Sequence, residues 1–137
     1  MNQNDWINLL QFKSSGILFG NVSFTEPARF EFFLPPFGSG GLYAIMVPDN
    51  SAKPRSFRAV YFGESGDLAK RVCLTHEKYV DWVKEAGTAH DLYVSFHAMS
   101  GSKDERVALE SRLVAQYQPA CNDTFNPLRS LFGGGTV

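Results

Sequence analysis

The chain is short of charge of either sign: 13 Lys and Arg stand against 14 Asp and Glu over 137 residues, a net charge of −1. Dedicated nucleic-acid binders usually carry a basic excess, so bulk charge argues against a polyanion held by electrostatics alone. No apolar run approaches the ~20 residues that a bilayer crossing needs. Asn2, Gln3, Asn4 and Asp5 also stand where a secretory leader would be basic and then apolar, so a soluble, cytoplasmic protein with no membrane partner is expected. Cysteine is scarce as well. Cys73 and Cys121 are too few for a disulfide framework and show neither a C-x-x-C nor a Cys/His ligand spacing. Two free thiols and no structural zinc are expected.

What is present is enough apolar content, 44%, for one core and one domain. It is unevenly spread: seven of the twelve Phe but only five of the 27 charged residues fall in residues 1–40. Forty residues rarely sustain a core alone, so this aromatic segment reads as an extension packed on the rest. A helix over Asn4–Lys13, carrying Trp6, Leu9 and Leu10, is expected there, followed by short strands around Ile17–Phe24 and Phe30–Leu34. Pro35 to Gly41 breaks regular structure and lacks the Lys and glycine register of a phosphate-binding loop, which makes it a connector.

From there the pattern is β-β-α-α-β-α. Leu42–Val47 and Phe57–Phe62 read as an antiparallel hairpin across a polar loop. Ser65 can cap a short helix from Gly66 to Cys73, and Thr75 a second that Gly87 stops. Leu92, Val94 and Phe96 alternate with polar partners as in a strand. Ser102 and Glu105 form a capping box that opens a helix running to Tyr117, before Pro119. Lys103 to Arg106 read as its solvated first turn, His90 and His97 as surface or strand-face residues, and Gly133–Gly135 as part of a tail over 126–137.

The last helix carries the sharpest signal. Val107, Leu109, Leu113, Val114 and Tyr117 define its apolar face, and Glu110 falls near the centre of that face. An unpaired buried carboxylate costs roughly several kcal/mol, so a cation, a metal or a water-filled cleft is required opposite it. A structural Glu–Arg pair and a metal site both meet that requirement.

Further residues carry a resemblance. Gly41-Leu42-Tyr43, Tyr61-Phe62-Gly63, the segment Glu64 to Arg71, His76, Glu110, and Tyr117-Gln118-Pro119-Ala120-Cys121-Asn122 follow one another over 82 residues. In order and spacing this set resembles the GIY-YIG nuclease superfamily. The resemblance covers about residues 41–125 and implies an α+β fold: a small, mainly antiparallel sheet flanked by helices, here with an N-terminal helix and strand extension. It also implies a metal-dependent DNA endonuclease. By that resemblance Tyr43 deprotonates or positions the attacking water, Tyr61 orients the water or a phosphate oxygen, and Arg71 meets the phosphate in the transition state. Glu110 holds Mg²⁺ or Mn²⁺, His76 donates to the scissile group or to Tyr43, and Asn122 fixes the site or a phosphate.

Two departures stand out. Eighteen residues separate Tyr43 from Tyr61, longer than the family's compact hairpin, and Glu64 puts an acid where the family has a polar or basic residue. Against this, Lys53, Arg55, Arg58, Lys70 and Arg71, less Glu64 and Asp67, leave residues 53–71 locally at +3, a strip able to contact DNA phosphates of unspecified strandedness. Two other readings stay open: a catalytically silent nucleic-acid-binding module on the same fold, and an interaction protein whose first 40 residues dock a second copy or a protein partner.

Overall fold

A computed structural model describes residues 16–52 and 56–123. The expected helix Asn4–Lys13, the loop cations Lys53 and Arg55, and the tail from 126 onward lie outside the described residues.

The architecture is α+β. Among the described residues six strands form in chain order: β1 Ile17–Phe19, β2 Val22–Phe24, β3 Ala28–Arg29, β4 Gly41–Pro48, β5 Phe57–Ser65 and β6 Tyr93–Ala98. β1 and β2 make a separate hairpin, and the other four make an antiparallel sheet in the order β3-β6-β4-β5. The helices are α1 Leu68–Arg71, α2 Tyr79–Ala86 and α3 Lys103–Tyr117. β4 is buried from Gly41 through Val47 because it is central and covered on both faces, which is why it reads as one apolar run rather than an alternation.

One face carries Tyr43, Ile45 and Val47 and packs on Leu68 of α1, Trp82 of α2 and Phe30. The other carries Leu42, Ala44, Met46 and Phe62 and packs on the β1–β2 hairpin and on Leu113 and Val114 of α3. Phe19 sits in this second layer, edge-on to Phe24, Phe62 and Tyr117. Part of the N-terminal aromatic load is therefore core. Phe32, Leu34 and Phe37, in contrast, are 74%, 86% and 77% exposed.

Backbone hydrogen bonds extend the sheet along β6 beyond the short β3 and along the outer edge of β5. Thr25 N donates to Phe96 O at 2.8 Å and Thr25 Oγ1 accepts from Phe96 N at 2.9 Å, continuing along β6 the pairing that β3 makes. On β5, Cys121 N donates to Val60 O at 2.9 Å and the Asn122 amide brackets Phe62, accepting from its N–H at 2.9 Å and donating to its C=O at 2.8 Å.

Several expectations are corrected. Phe30–Leu34 is not a strand: Phe30–Phe32 is a 3-10 turn, and the pairing residues are Ala28 and Arg29. Ser65 does not cap α1; Asp67 does, accepting from Lys70 N at 3.3 Å, while Ser65 Oγ accepts from Asp67 N. α2 starts at Tyr79 rather than just after Thr75, because the intervening residues turn His76 inward. Val107 is 38% exposed, and Arg106 instead takes the inner position of α3, so the first turn is not wholly solvated. The N-cap half of the capping box forms, with Ser102 Oγ accepting from Glu105 N at 3.2 Å. α3 ends where Gln118 turns left-handed (φ 47°) ahead of Pro119. The connector is held by its carbonyls, Ser39 O accepting from Leu68 N and Gly40 O from Met99 N. Cys73 and Cys121 are free.

Gly63 pairs with Tyr43 across β4–β5, and a Cβ on Gly63 would run into the Tyr43 ring and hydroxyl. Gly63→Ala should therefore lower stability by about 1–3 kcal/mol, the range for overpacking. Gly66→Ala, whose Cβ would meet only the tip of Arg106 at 3.4 Å, should stay near wild type in the same thermal melts.

Candidate active site

The first face of the sheet gathers Tyr43, Tyr61 and His76 of the sequence-expected residues. Tyr43 on β4 and Tyr61 on β5 point the same way, ring centroids 5.9 Å apart. Their shared direction depends on a bulge: Ile45 pairs with Tyr61 but Met46 with Ala59, so Val60 is an extra residue that moves Tyr61 to the Tyr43 face. His76 lies against both phenols and on the indole of Trp82, at centroid distances of 5.9, 5.6 and 4.4 Å.

His76 Nδ1 accepts from Lys78 N at 3.0 Å, which puts the ring proton of the neutral imidazole on Nε2. Nε2 lies 2.8 Å from Tyr43 Oη and donates to it. Burial, helped by the Arg71 charge, lowers the His76 pKa to about 4, so the ring is neutral at pH 7. Glu77 Oε2, 3.5 Å from Nδ1, faces an uncharged ring. Burial pushes the Tyr43 phenol well above the usual range, the Tyr61 phenol adds to the rise, and Arg71 opposes it. Tyr61 is also raised, first by its own burial. Tyr43 is accordingly a neutral phenol that accepts from His76, with the Tyr61 hydroxyl and the Arg71 guanidinium also interacting with its oxygen.

Arg71 ends α1 and is partly exposed. Its Nη1 donates to Glu77 Oε2 at 2.8 Å and its Nη2 to Glu77 Oε1. That pairing raises Arg71 further and holds Glu77 at about 2. Sequence reasoning passed over Glu77; its only signal was its place next to His76.

Glu110 sits on the inner side of α3, half-buried. Burial first, then the Glu64 carboxylate, raise its pKa to about 7, while Arg71 pulls it down; Glu110 in turn raises Tyr61. The carboxyl thus shares an electrostatic neighbourhood with Arg71 and Tyr61, and it makes no hydrogen bond or ion pair with the described residues. The neighbouring Glu64 is paired instead, its Oε2 accepting from Arg106 Nε at 3.0 Å. Glu110 suits a hard divalent cation, which accepts one carboxylate and keeps several waters. Among the described residues no group of three or more His, Cys, Asp or Glu is placed to hold a metal ion, so Glu110 would act with at most one other such side chain.

Asn122 has both ends of its amide committed to Phe62, next to Tyr61. That pairing anchors β5 beside Tyr61. No family model, curated protein or solved structure matches the chain. Among the described residues no helix is long and apolar enough to cross a membrane.

The expected basic strip is thinner than the charge count. Arg58 Nε lies 3.3 Å from Asp49 and its Nη1 3.0 Å from Glu85, so it is spent on two carboxylates, whereas Lys70 is exposed. His90 and His97 stay outside the cluster, the former against Arg29 and the latter at Ser23 O.

The Glu110 pKa has a consequence for stability. Its folded value, about 7, lies above the free value of 4.5, so the folded chain binds this proton more tightly, and stability is lost as pH rises between those values. Glu110→Gln removes the loss. Its melting temperature should exceed that of wild type at pH 8, and the gap should close toward pH 4.5; a gap of the same size at both would contradict the assignment.

Proposed function

We propose that the chain is a divalent-metal-dependent endonuclease that hydrolyses DNA phosphodiester bonds, on a GIY-YIG-like core over about residues 41–125. The observation that carries the reading is Glu110: a half-buried carboxylate with no partner among the described residues, raised to about 7, within the electrostatic reach of Arg71 and Tyr61. A group ionised only at a cost, in a cluster of phenols, imidazole and guanidinium drawn from four parts of the chain, is an expensive arrangement with no structural return.

Each residue takes a role from its chemistry. Glu110 is the ligand for Mg²⁺ or Mn²⁺, which when bound supplies Lewis-acid polarisation of a phosphoryl oxygen and a more acidic water. Tyr43, kept neutral by burial, orients the attacking water through its hydroxyl and leaves proton abstraction to other groups. His76 holds the Tyr43 oxygen by its Nε2–H. Tyr61 supplies a second hydroxyl on the same face. Arg71 offers paired donors to the phosphate as negative charge accumulates. Lys70 is the exposed cation next to it.

A second reading has one observation in its favour. Arg71 is already clamped by Glu77, as it would be in a catalytically silent nucleic-acid-binding module. The two separate in single-turnover assays on a panel of labelled DNA and RNA substrates with added Mg²⁺ or Mn²⁺. On the nuclease reading wild type cuts, Glu110→Gln abolishes cutting while remaining folded, and Arg71→Ala slows it by about 2.7–4 kcal/mol of transition-state stabilisation. Binding without cutting, or undiminished cutting by Glu110→Gln, selects the silent module.

A further inference from the structure

Arg71 is the guanidinium that the proposed reaction needs, and in this structure the paired face of its two terminal nitrogens is turned on a carboxylate, with Tyr43 also interacting with the group. Nη1 and Nη2 each donate to one oxygen of the Glu77 carboxylate, a two-point fork. A carboxylate and a phosphodiester both present two oxygens to such a fork, so they compete for the same donors. The position of Glu77 follows from the fold. His76 N donates to Cys73 O at 3.1 Å and Tyr79 N to His76 O at 3.0 Å, a tight turn that buries the imidazole against Tyr43. The next residue, Glu77, remains on the solvent side facing Arg71. The two side chains are 37% and 59% exposed for Arg71 and Glu77, so the fork can open into water without stranding a buried charge.

We propose that Glu77 is a positioning residue that sets how tightly the site takes a nucleic-acid phosphate, by holding Arg71 in a closed fork that a backbone phosphate must displace. The inference rests on the nuclease reading and deepens it. Glu77 acts through Arg71 and does not touch the reacting atoms. It weakens the encounter with any polyanion twice, by occupying the fork and by its own charge, and the two contributions separate by experiment.

The test is fluorescence anisotropy with a short fluorescein-labelled DNA duplex, free of divalent metal, at about 0.1 M salt. Glu77→Gln should bind about fivefold more tightly than wild type, the upper end of what opening an exposed ion pair can release. Asp81→Asn removes the same charge from an exposed position on α2 and should gain less than twofold. On an Arg71→Ala background Glu77→Gln should gain no more than Asp81→Asn does. Glu77→Asp keeps the charge on a shorter stem and should fall between wild type and Glu77→Gln. In single-turnover cleavage Glu77→Gln should lower the half-saturating DNA concentration and leave the saturated rate within about twofold, a split that a purely structural role would not produce. A Glu77→Gln gain no larger than that of Asp81→Asn, or one that survives loss of Arg71, overturns the inference while wild-type cleavage leaves the nuclease reading standing. Wild type that neither binds nor cuts DNA or RNA overturns both.

Discussion

The hydrogen bond from His76 Nε2 to Tyr43 Oη is the constraint on which the rest of the site depends. Burying an imidazole and a phenol is costly unless their polar atoms meet, so each requires the other. That requirement reaches into the backbone. Lys78 N–H must cap the remaining imidazole nitrogen, which fixes the tautomer and defers the start of α2 to Tyr79. Trp82, one turn into α2, covers the ring, tilted 42° to it at a centroid distance of 4.4 Å. On the sheet side, Tyr43 needs a neighbour with no Cβ, and Gly63 supplies it.

The second requirement is that β5 stay in register at its outer edge, since Tyr61 joins Tyr43 only by virtue of the bulge at Val60. A bulged edge strand with open N–H and C=O groups is prone to slip or to pair with another chain. The segment after α3 prevents both. Cys121 N bonds the carbonyl of the bulged residue itself, and the Asn122 amide imitates a strand neighbour at Phe62. The closing Tyr117-to-Asn122 motif therefore acts on Tyr61 through the backbone between them. Sheet geometry and site geometry are one problem at this edge.

Much of this was legible in the sequence because it obeys local rules. The hairpin follows from alternation and a polar loop, α3 from a capping box and a following proline, and the inward Glu110 from helical phase. The phase argument failed by one position at the start of α3, where Arg106 rather than Val107 turns inward, because Glu64 on β5 draws the guanidinium in and periodicity cannot see a partner 42 residues away. Phe30–Leu34 misled for a related reason: its aromatic density suits a strand, but Phe30 is spent plugging the core beside Tyr79 and Trp82, which a turn does and a strand does not. The bulge at Val60 leaves no trace in composition. Neither does the Arg71–Glu77 fork, since a helix-end Arg six residues before a Glu is unremarkable until His76 turns the chain.

Charge pairing gives the arrangement its direction. Around the cluster, Glu64 is matched by Arg106, Arg71 by Glu77, and His76 is neutral, which leaves Glu110 as the carboxylate with no ion pair among the described residues, helped only by the Arg71 charge. On the proposed reading a phosphodiester entering this site adds a second uncompensated negative charge beside the first, and if it opens the Arg71 fork it releases a third on Glu77. Lys70 and the freed guanidinium cannot balance all three, since the guanidinium serves only one of the two anions at a time. A divalent cation, for which Glu110 would be the ligand, would supply the missing positive charge beside the carboxylate that burial penalises. The proposed metal dependence thus follows from the sum of charges as well as from motif order, and the same sum makes Glu77 the carboxylate whose removal changes DNA affinity without changing the ligand that holds the metal.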